Sequence, residues 1–223
     1  MLTRIAVVIP AHDEEQLLPA CLDAVREAAS HAPLPVDVLV VLDACRDGSA
    51  RVAAEAGVRT LAVEARNVGR ARAAGAAAAL ADAPAGRTWL ACTDADTRVA
   101  PDWLMQQLRF AAAGADVVTG IVGVDDWTEW PAATATAFRA AYHRGIGPAQ
   151  HLHVHGANLG LTGAAYLRAG GFRPSSVGED QALVRAAVDA GMHVVRSTAV
   201  RVVTSARRTA RAPHGFSAYL HAL

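Results

Sequence analysis

The chain has 223 residues, 52% of them hydrophobic, and its 21 Lys and Arg balance its 21 Asp and Glu to a formal charge of zero. That length suits one sizeable core, since domains typically hold about 100 to 200 residues. The charge balance excludes the basic excess that neutralises nucleic-acid phosphates, and Arg, Asp or Gly interrupts every alanine-rich stretch well before the roughly 20 apolar residues of a membrane span.

No nucleic-acid partner and no integral membrane segment is therefore expected. The N-terminus, Met1-Leu2-Thr3-Arg4, runs straight into Ile5-Ala6-Val7-Val8-Ile9 and then Pro10, a run too short for a signal peptide, so a cytoplasmic protein is expected. Apolar runs rich in Val, Ile and Leu at 5 to 9, 36 to 42, 58 to 63 and 88 to 92 predict buried strands. Between them, 14 to 29, 49 to 56 and 69 to 82 have helical composition, with Asp47 or Ser49 available to cap the second. This alternation predicts an α/β fold with a mostly parallel, doubly wound sheet, whose ligands bind beyond the carboxyl ends of the strands.

Those ends are polar. Pro10-Ala11-His12-Asp13-Glu14-Glu15 follows the first strand, Asp43 to Ser49 the second, and Asp94-Ala95-Asp96 the fourth. Turns are rich in Asp, so a lone D-x-D says little. Directly after the buried strand Thr88 to Cys92, however, two carboxylates one residue apart offer hard oxygens for one divalent ion, which in turn holds a diphosphate. Asp43 ends a strand of the same sheet and is expected to reach the crevice and accept hydrogen bonds from a base or ribose. Asn67-Val68-Gly69-Arg70-Ala71-Arg72 opens a helix whose free N–H groups favour anions, with Arg72 preferred over Arg70 as a partner for a phosphate or an acid.

Regularity fades after Val124. Asp125 to Pro131 breaks the pattern, an Ala-rich helix is expected over 132 to 143, and Gly145-Ile146-Gly147-Pro148 reads as a loop. Without a fixed repeat or a Ser/Gly-rich connector, residues 1–223 are expected to form one domain with two halves, about 1–124 and about 125–223. His151, His153 and His155 alternate with strand period, which puts three imidazoles on one face. A metal cluster there lacks a fourth ligand. Asn158 offers a donor and an acceptor suited to sugar hydroxyls. Trp127 and Trp130 read as packing groups. Residues 181 to 190 look helical, so Glu179-Asp180 also suits a helix N-terminus. Five arginines, Arg196, Arg201, Arg207, Arg208 and Arg211, crowd the tail with no acid among them, so the tail faces either solvent or an anionic substrate. Cys21, Cys45 and Cys92 have no zinc spacing and read as core residues.

In these segments the chain resembles the nucleotide-sugar glycosyltransferases of family 2, whose GT-A fold begins with a Val-Val-Ile-Pro-Ala-His-Asp-Glu-Glu type segment. Asn67-x-Gly69-x-Ala71-Arg72, Asp94-x-Asp96, Gly170-Gly171-Phe172 and Glu179-Asp180 follow in the family's order. The resemblance implies an NDP-sugar donor, UDP- or GDP-linked, bound by Pro10, Ala11, His12, Glu14, Asp43, Asn67, Gly69, Arg72, Asp94, Ala95 and Asp96. It implies Mn²⁺ or Mg²⁺ on Asp96, Asp180 as general base, and an acceptor hydroxyl on a small molecule or glycan near Asn158, Gly171 and Glu179. A single displacement assisted by Asp180 inverts the anomeric centre, because the acceptor oxygen enters opposite the leaving diphosphate.

Two positions depart from the pattern: Ala73 stands where many members carry Asn, and Val202 to Ser205 lacks the late His that often ligates the metal. His193 and His214 cannot be given that role from spacing. Arg207 and Arg208 are expected over the diphosphate or an acidic acceptor. A nucleotidyltransferase would want a Gly- and Lys-rich loop that 10 to 15 lacks. A dehydrogenase would want a G-x-G-x-x-G after the first strand. A silent nucleotide-sugar-binding module would not need Asp180.

Overall fold

The structure, a computed structural model, describes residues 1–148, 150–209 and 216–223. Arg211 and His214 lie outside the described residues. The first half follows the expected alternation: β1 (Arg4–Ala11), α1 (Leu18–Ser30), β2 (Val36–Asp43), α2 (Ser49–Glu55), β3 (Arg59–Val63), α3 (Val68–Ala81) and β4 (Thr88–Cys92). Helix α1 begins at Leu18, four residues later than composition suggests. Pro19 sits in its first turn, where a fixed φ and a missing N–H are harmless, and Asp13 just before it has φ 54°, outside the helical region.

Beyond β4 come β5 (Thr97–Val99), α4 (Trp103–Ala112), β6 (Val117–Gly123), α5 (Ala132–His143), β7 (Leu159–Thr162), α6 (Gly163–Arg168), α7 (Glu179–Asp189), β8 (Val194–Thr204) and α8 (Phe216–His221). All eight strands join one sheet in the order β3-β2-β1-β4-β7-β6-β8-β5. Four pairings are parallel and three, β4 with β7, β6 with β7 and β5 with β8, are antiparallel. The sheet is thus mostly parallel, and each antiparallel pairing joins a strand before residue 124 to one after it.

Side chains of β1 alternate between two cores, as period-2 geometry requires. Ile5, Val7 and Ile9 pack under α1 and α4 with Leu22, Trp103 and Leu104. Ala6 and Val8 face α3 and α7 with Ala76, Leu90, Leu161 and Leu183. Helix α3 is alanine-rich because it lies almost on the sheet: a Cβ on Gly75 would stand 2.5 Å from Val8 and 2.7 Å from Val41. A smaller apolar cluster holds Trp130, Phe138, Ala206 and Leu220, with Trp127 against it. Both tryptophans are packing groups. Among the described residues, no helix is long and apolar enough to cross a membrane.

The expected strand through His151, His153 and His155 does not form; His151 makes only an isolated bridge to Ile146. The imidazoles nevertheless share one side, because they stack on Tyr142. His153 lies 3.8 Å from the Tyr142 ring at 5°, and His151 and His155 stack against His153. Ring nitrogens of His151 and His153 donate to the carbonyls of Thr119 and Tyr142 at 3.1 and 2.8 Å. The Tyr142 hydroxyl accepts from Val122 N–H at 2.8 Å and donates to His155 Nε2 at 3.1 Å. This is a packing device, and no metal-ligand group forms there among the described residues.

Candidate active site

The crossings after β1, β2 and β3 each hold one non-glycine residue at positive φ: Asp13 (54°), Ala44 (53°) and Arg66 (47°). Such residues cost about 1 to 3 kcal/mol each and persist where neighbours over-determine them. At Arg66 the neighbour is Asp43, 4% exposed. Its Oδ1 accepts from the N–H groups of Ala65 and Arg66 at 2.7 Å, and its Oδ2 from Asn67 N–H at 2.8 Å. Asp43 therefore moulds the β3–α3 loop into a turn. The Asn67 side chain in turn caps α3 by accepting from Arg70 N–H at 2.9 Å. Gly69 lets that helix start press on the 173–175 backbone, where a Cβ would stand 2.2 Å from the Arg173 carbonyl.

On the β1 side Pro10 is half-buried and Ala11 buried, and His12 Nδ1 donates to the Asp43 carbonyl at 2.5 Å. Asp47 accepts from the Ser49 N–H and hydroxyl at 2.9 and 2.6 Å, so it secures the start of α2. An open cavity of about 290 Å³ lies beside Asp13, Glu15, Gln16, Arg46 and Asp47. Ligand atoms of Asp13, Cys45 and Asp47 approach within 4.8 Å of one another. Burial pushes the Cys45 thiol up, and Asp13 accepts from Arg46 N–H.

Asp94-Ala95-Asp96 connects two ion-pair centres. Asp94 pairs with Arg72, which is 3% exposed and also pairs with Glu179. Burial pulls the Arg72 pKa down, but the Asp94 and Asp180 carboxylates outweigh it and hold it above the ordinary arginine range. Phe172, delivered by consecutive positive-φ residues Gly170 and Gly171, places its ring 6.0 Å from the same guanidinium. Asp180 lies next in the chain at the start of α7, where its Oδ2 accepts from Gly156 N–H at 2.7 Å and its Oδ1 from Gln181 N–H at 2.7 Å. One buried arginine thus links the D-x-D segment to the Glu-Asp pair.

The second centre joins Asp96 to Glu14 through Arg207. Both Glu14 oxygens accept from the guanidinium, at 2.5 and 2.6 Å, and Asp96 Oδ2 stands 3.2 Å from it. Thr97 and Thr204 hydroxyls lie 3.3 Å from Asp96 Oδ1. Burial pushes the Asp96 carboxyl up to about 6, with Arg207 opposing and Asp94 and Glu14 adding to the shift. Four carboxylates, Glu14, Asp94, Asp96 and Glu179, paired with two arginines leave an excess of negative charge. Asp96 remains 18% exposed and Asp94 34%. One or two hard carboxylates with room for water and phosphate oxygens suit Mg²⁺ or Mn²⁺, so the donor set fits the expected ion at Asp96.

Two expected acceptor residues are buried. Asn158 is fully buried: its Oδ1 accepts from Trp103 Nε1 at 2.9 Å and its Nδ2 donates to the carbonyls of Ile121 and Val200 at 2.8 and 3.1 Å. It fills the register shift between Thr119 and Ile121, where β6 and β8 part. Glu179, 3% exposed, is the partner of Arg72. Gly171 ends α6 by donating to the Tyr166 carbonyl at 3.0 Å. His193 binds Gly114 and Asp116, away from Asp96. The Arg207 pairing with Glu14 spans 193 positions, and nothing local in the sequence announces it.

A sequence profile described as Glycosyl transferase family 2 matches residues 6–168, well over half of the 223. No curated protein sequence matches the chain. Among solved structures, the mannosyltransferase PcManGT from Pyrobaculum calidifontis, in complex with GDP-Man and Mn²⁺, is similar at a TM-score of 0.66 and 19% identity, covering 100% of this chain and 69% of its own. TarS 1-349 from S. aureus in complex with UDP-GlcNAc is similar at 0.67 and 14% identity, covering 96% and 62%. TarS 1-349 alone gives 0.66 and 13% identity, and there the chain spans 61% of that 1-349 chain, less than two thirds. With the profile matched over most of its length and the mixed, helix-flanked sheet of these GT-A proteins, the chain belongs to glycosyl transferase family 2.

Proposed function

We propose that this protein transfers a sugar from a UDP- or GDP-linked donor to an acceptor hydroxyl, with Asp180 as general base and Mn²⁺ or Mg²⁺ at Asp96. The observation that carries the reading is the Arg72 bridge, which joins Asp94 of the D-x-D segment to Glu179, the residue before Asp180. Donor and base elements are thereby parts of one buried unit. Two similar structures hold GDP-Man with Mn²⁺ and UDP-GlcNAc, which supports a nucleoside-diphosphate sugar as donor.

Residues 1–124 serve the donor and 125–223 the acceptor. Asp180 accepts the acceptor's hydroxyl proton as the new C–O bond forms at the anomeric carbon and the bond to the diphosphate breaks. Gly156 and Gln181 N–H groups hold the carboxylate in place, and positioning of this kind is a large part of such catalysis. The displacement inverts the anomeric centre. When bound, the divalent ion neutralises charge on the departing diphosphate. Arg72 orients Asp94 beside it.

The test is a thermal-shift screen of UDP- and GDP-sugars with and without Mn²⁺, because a ligand of the native state raises its melting temperature. A metal-dependent rise with a sugar nucleotide, and product of inverted anomeric configuration once an acceptor is found, are expected. No shift with any sugar nucleotide sinks the reading.

A further inference from the structure

Arg207 is a fixed cation in the donor crevice. Its bidentate hold on Glu14 is a fork geometry that lysine does not reproduce. The strap that carries it is fastened along its length. Ser205 N–H donates to the Asp96 carbonyl at 3.1 Å, Trp130 Nε1 donates to the Ala206 carbonyl, and Arg208 N–H donates to Glu129 at 3.2 Å. The Arg208 guanidinium also lies 5.2 Å from the Trp130 ring centroid. Residues 205–208 are therefore a wall of the crevice.

A divalent ion on Asp96 meets that wall. Metal–oxygen bonds to carboxylates run about 2.0 to 2.6 Å, and Arg207 Nη2 already stands 3.2 Å from Asp96 Oδ2. Ion and guanidinium, bound to the same oxygen, fall within about 6 Å of each other, where like charges in a partly buried site are poorly screened. A diphosphate between them reverses the sign, since its oxygens accept from the guanidinium and ligate the ion together.

We infer that Arg207 competes with the divalent ion for Asp96 until a nucleoside diphosphate arrives, and then clasps that diphosphate beside the ion. Arg207 weakens ion binding alone and strengthens it in the presence of nucleotide. By linkage, the ion has the same reciprocal effect on nucleotide binding. The inference rests on the donor reading above and adds to it an ordered logic: ion and donor enter as a pair.

The experiment measures free Mn²⁺ by electron paramagnetic resonance over the full chain, with and without UDP or GDP, for wild type, Arg207→Ala and the double variant Glu14→Gln, Arg207→Met. The double variant removes the buried carboxylate that Arg207→Ala leaves without its partner, and thermal melts confirm folding. Without nucleotide, both variants bind Mn²⁺ about tenfold more tightly than wild type. With nucleotide, the gain in Mn²⁺ affinity shrinks by about tenfold relative to wild type. Equal Mn²⁺ affinities without nucleotide overturn the inference and leave the donor reading standing. A wild type that binds neither UDP nor GDP in Mn²⁺ overturns both.

Discussion

Arg72 and Glu179 form an ion pair in which each side chain is only 4% exposed, across 107 positions of sequence. The pair ties the second turn of α3 to the first turn of α7, and so fixes where Asp180 stands relative to Asp94. Removing one member strands a charge in the interior, which costs far more than the pair itself contributes.

Arg72→Met is expected to lower stability by about 3 to 5 kcal/mol, read from urea unfolding. Adding Glu179→Leu recovers most of that loss, because Asp94 can hydrate where Glu179 cannot. A single variant as stable as wild type would show that the pair supports nothing.

Asp180→Asn keeps an oxygen to accept from Gly156 N–H but cannot take a proton. Turnover is expected to fall about 10² to 10⁴-fold, assayed as nucleotide release in the presence of acceptor, with only a modest drop in melting temperature from the Gln181 N–H that loses its acceptor. Wild-type turnover in this variant would remove Asp180 from the chemistry.

Asp96→Ala deletes the carboxylate assigned to the ion. Mn²⁺-dependent donor binding is expected to vanish, as it does for wild type in chelator, with Mn²⁺ addition restoring only the wild type. Calorimetric titration with UDP- and GDP-sugars reads the difference.

Asn158→Leu leaves Trp103 Nε1 and the carbonyls of Ile121 and Val200 without their partner. Each buried polar group so stranded costs about 1 to 3 kcal/mol, and a total loss of about 3 kcal/mol or more is expected. Donor affinity stays near wild type in the fraction that folds. A variant of full stability with impaired acceptor use would return Asn158 to the acceptor site.

Burial, with the charges of His153 and His151 adding, holds the His155 pKa at about 4 against 6.5 when exposed. His151 moves in the same direction. Between those values the unfolded chain binds a proton that the folded chain refuses. The contribution is full above about pH 6.5 and is lost as pH falls toward 4, by about 3 kcal/mol for His155. Melting temperatures at pH 7 and 4.5 test this. His155→Phe is expected to flatten the dependence, and an equally steep profile in that variant would place the sensitivity elsewhere.

Strand–helix alternation was legible because periodicity is local: Ile5 to Ile9 and Val38 to Leu42 are apolar on both faces, as central parallel strands must be. The second half was harder to read. Strand β7 has four residues and β5 three, too short for a pattern, and the antiparallel turnover depends on which edges remain open after β4. His151 to His155 carried a true alternation, but Tyr142 and backbone carbonyls hold the rings and only an isolated bridge forms there.

By itself the sequence determined the polar rim beyond the strands, the D-x-D after a buried run, and the order of segments that marks the family, because each is a matter of residue type at short spacing. Only the tertiary structure decided which charges meet. It gave Asp94 to Arg72 and Asp96 to Arg207, closed Glu179 and Asn158 off from solvent, and brought Glu14 against a residue 193 positions away. Partner choice among buried charges follows from distance and desolvation, and both exist only once the sheet has brought its strand ends together.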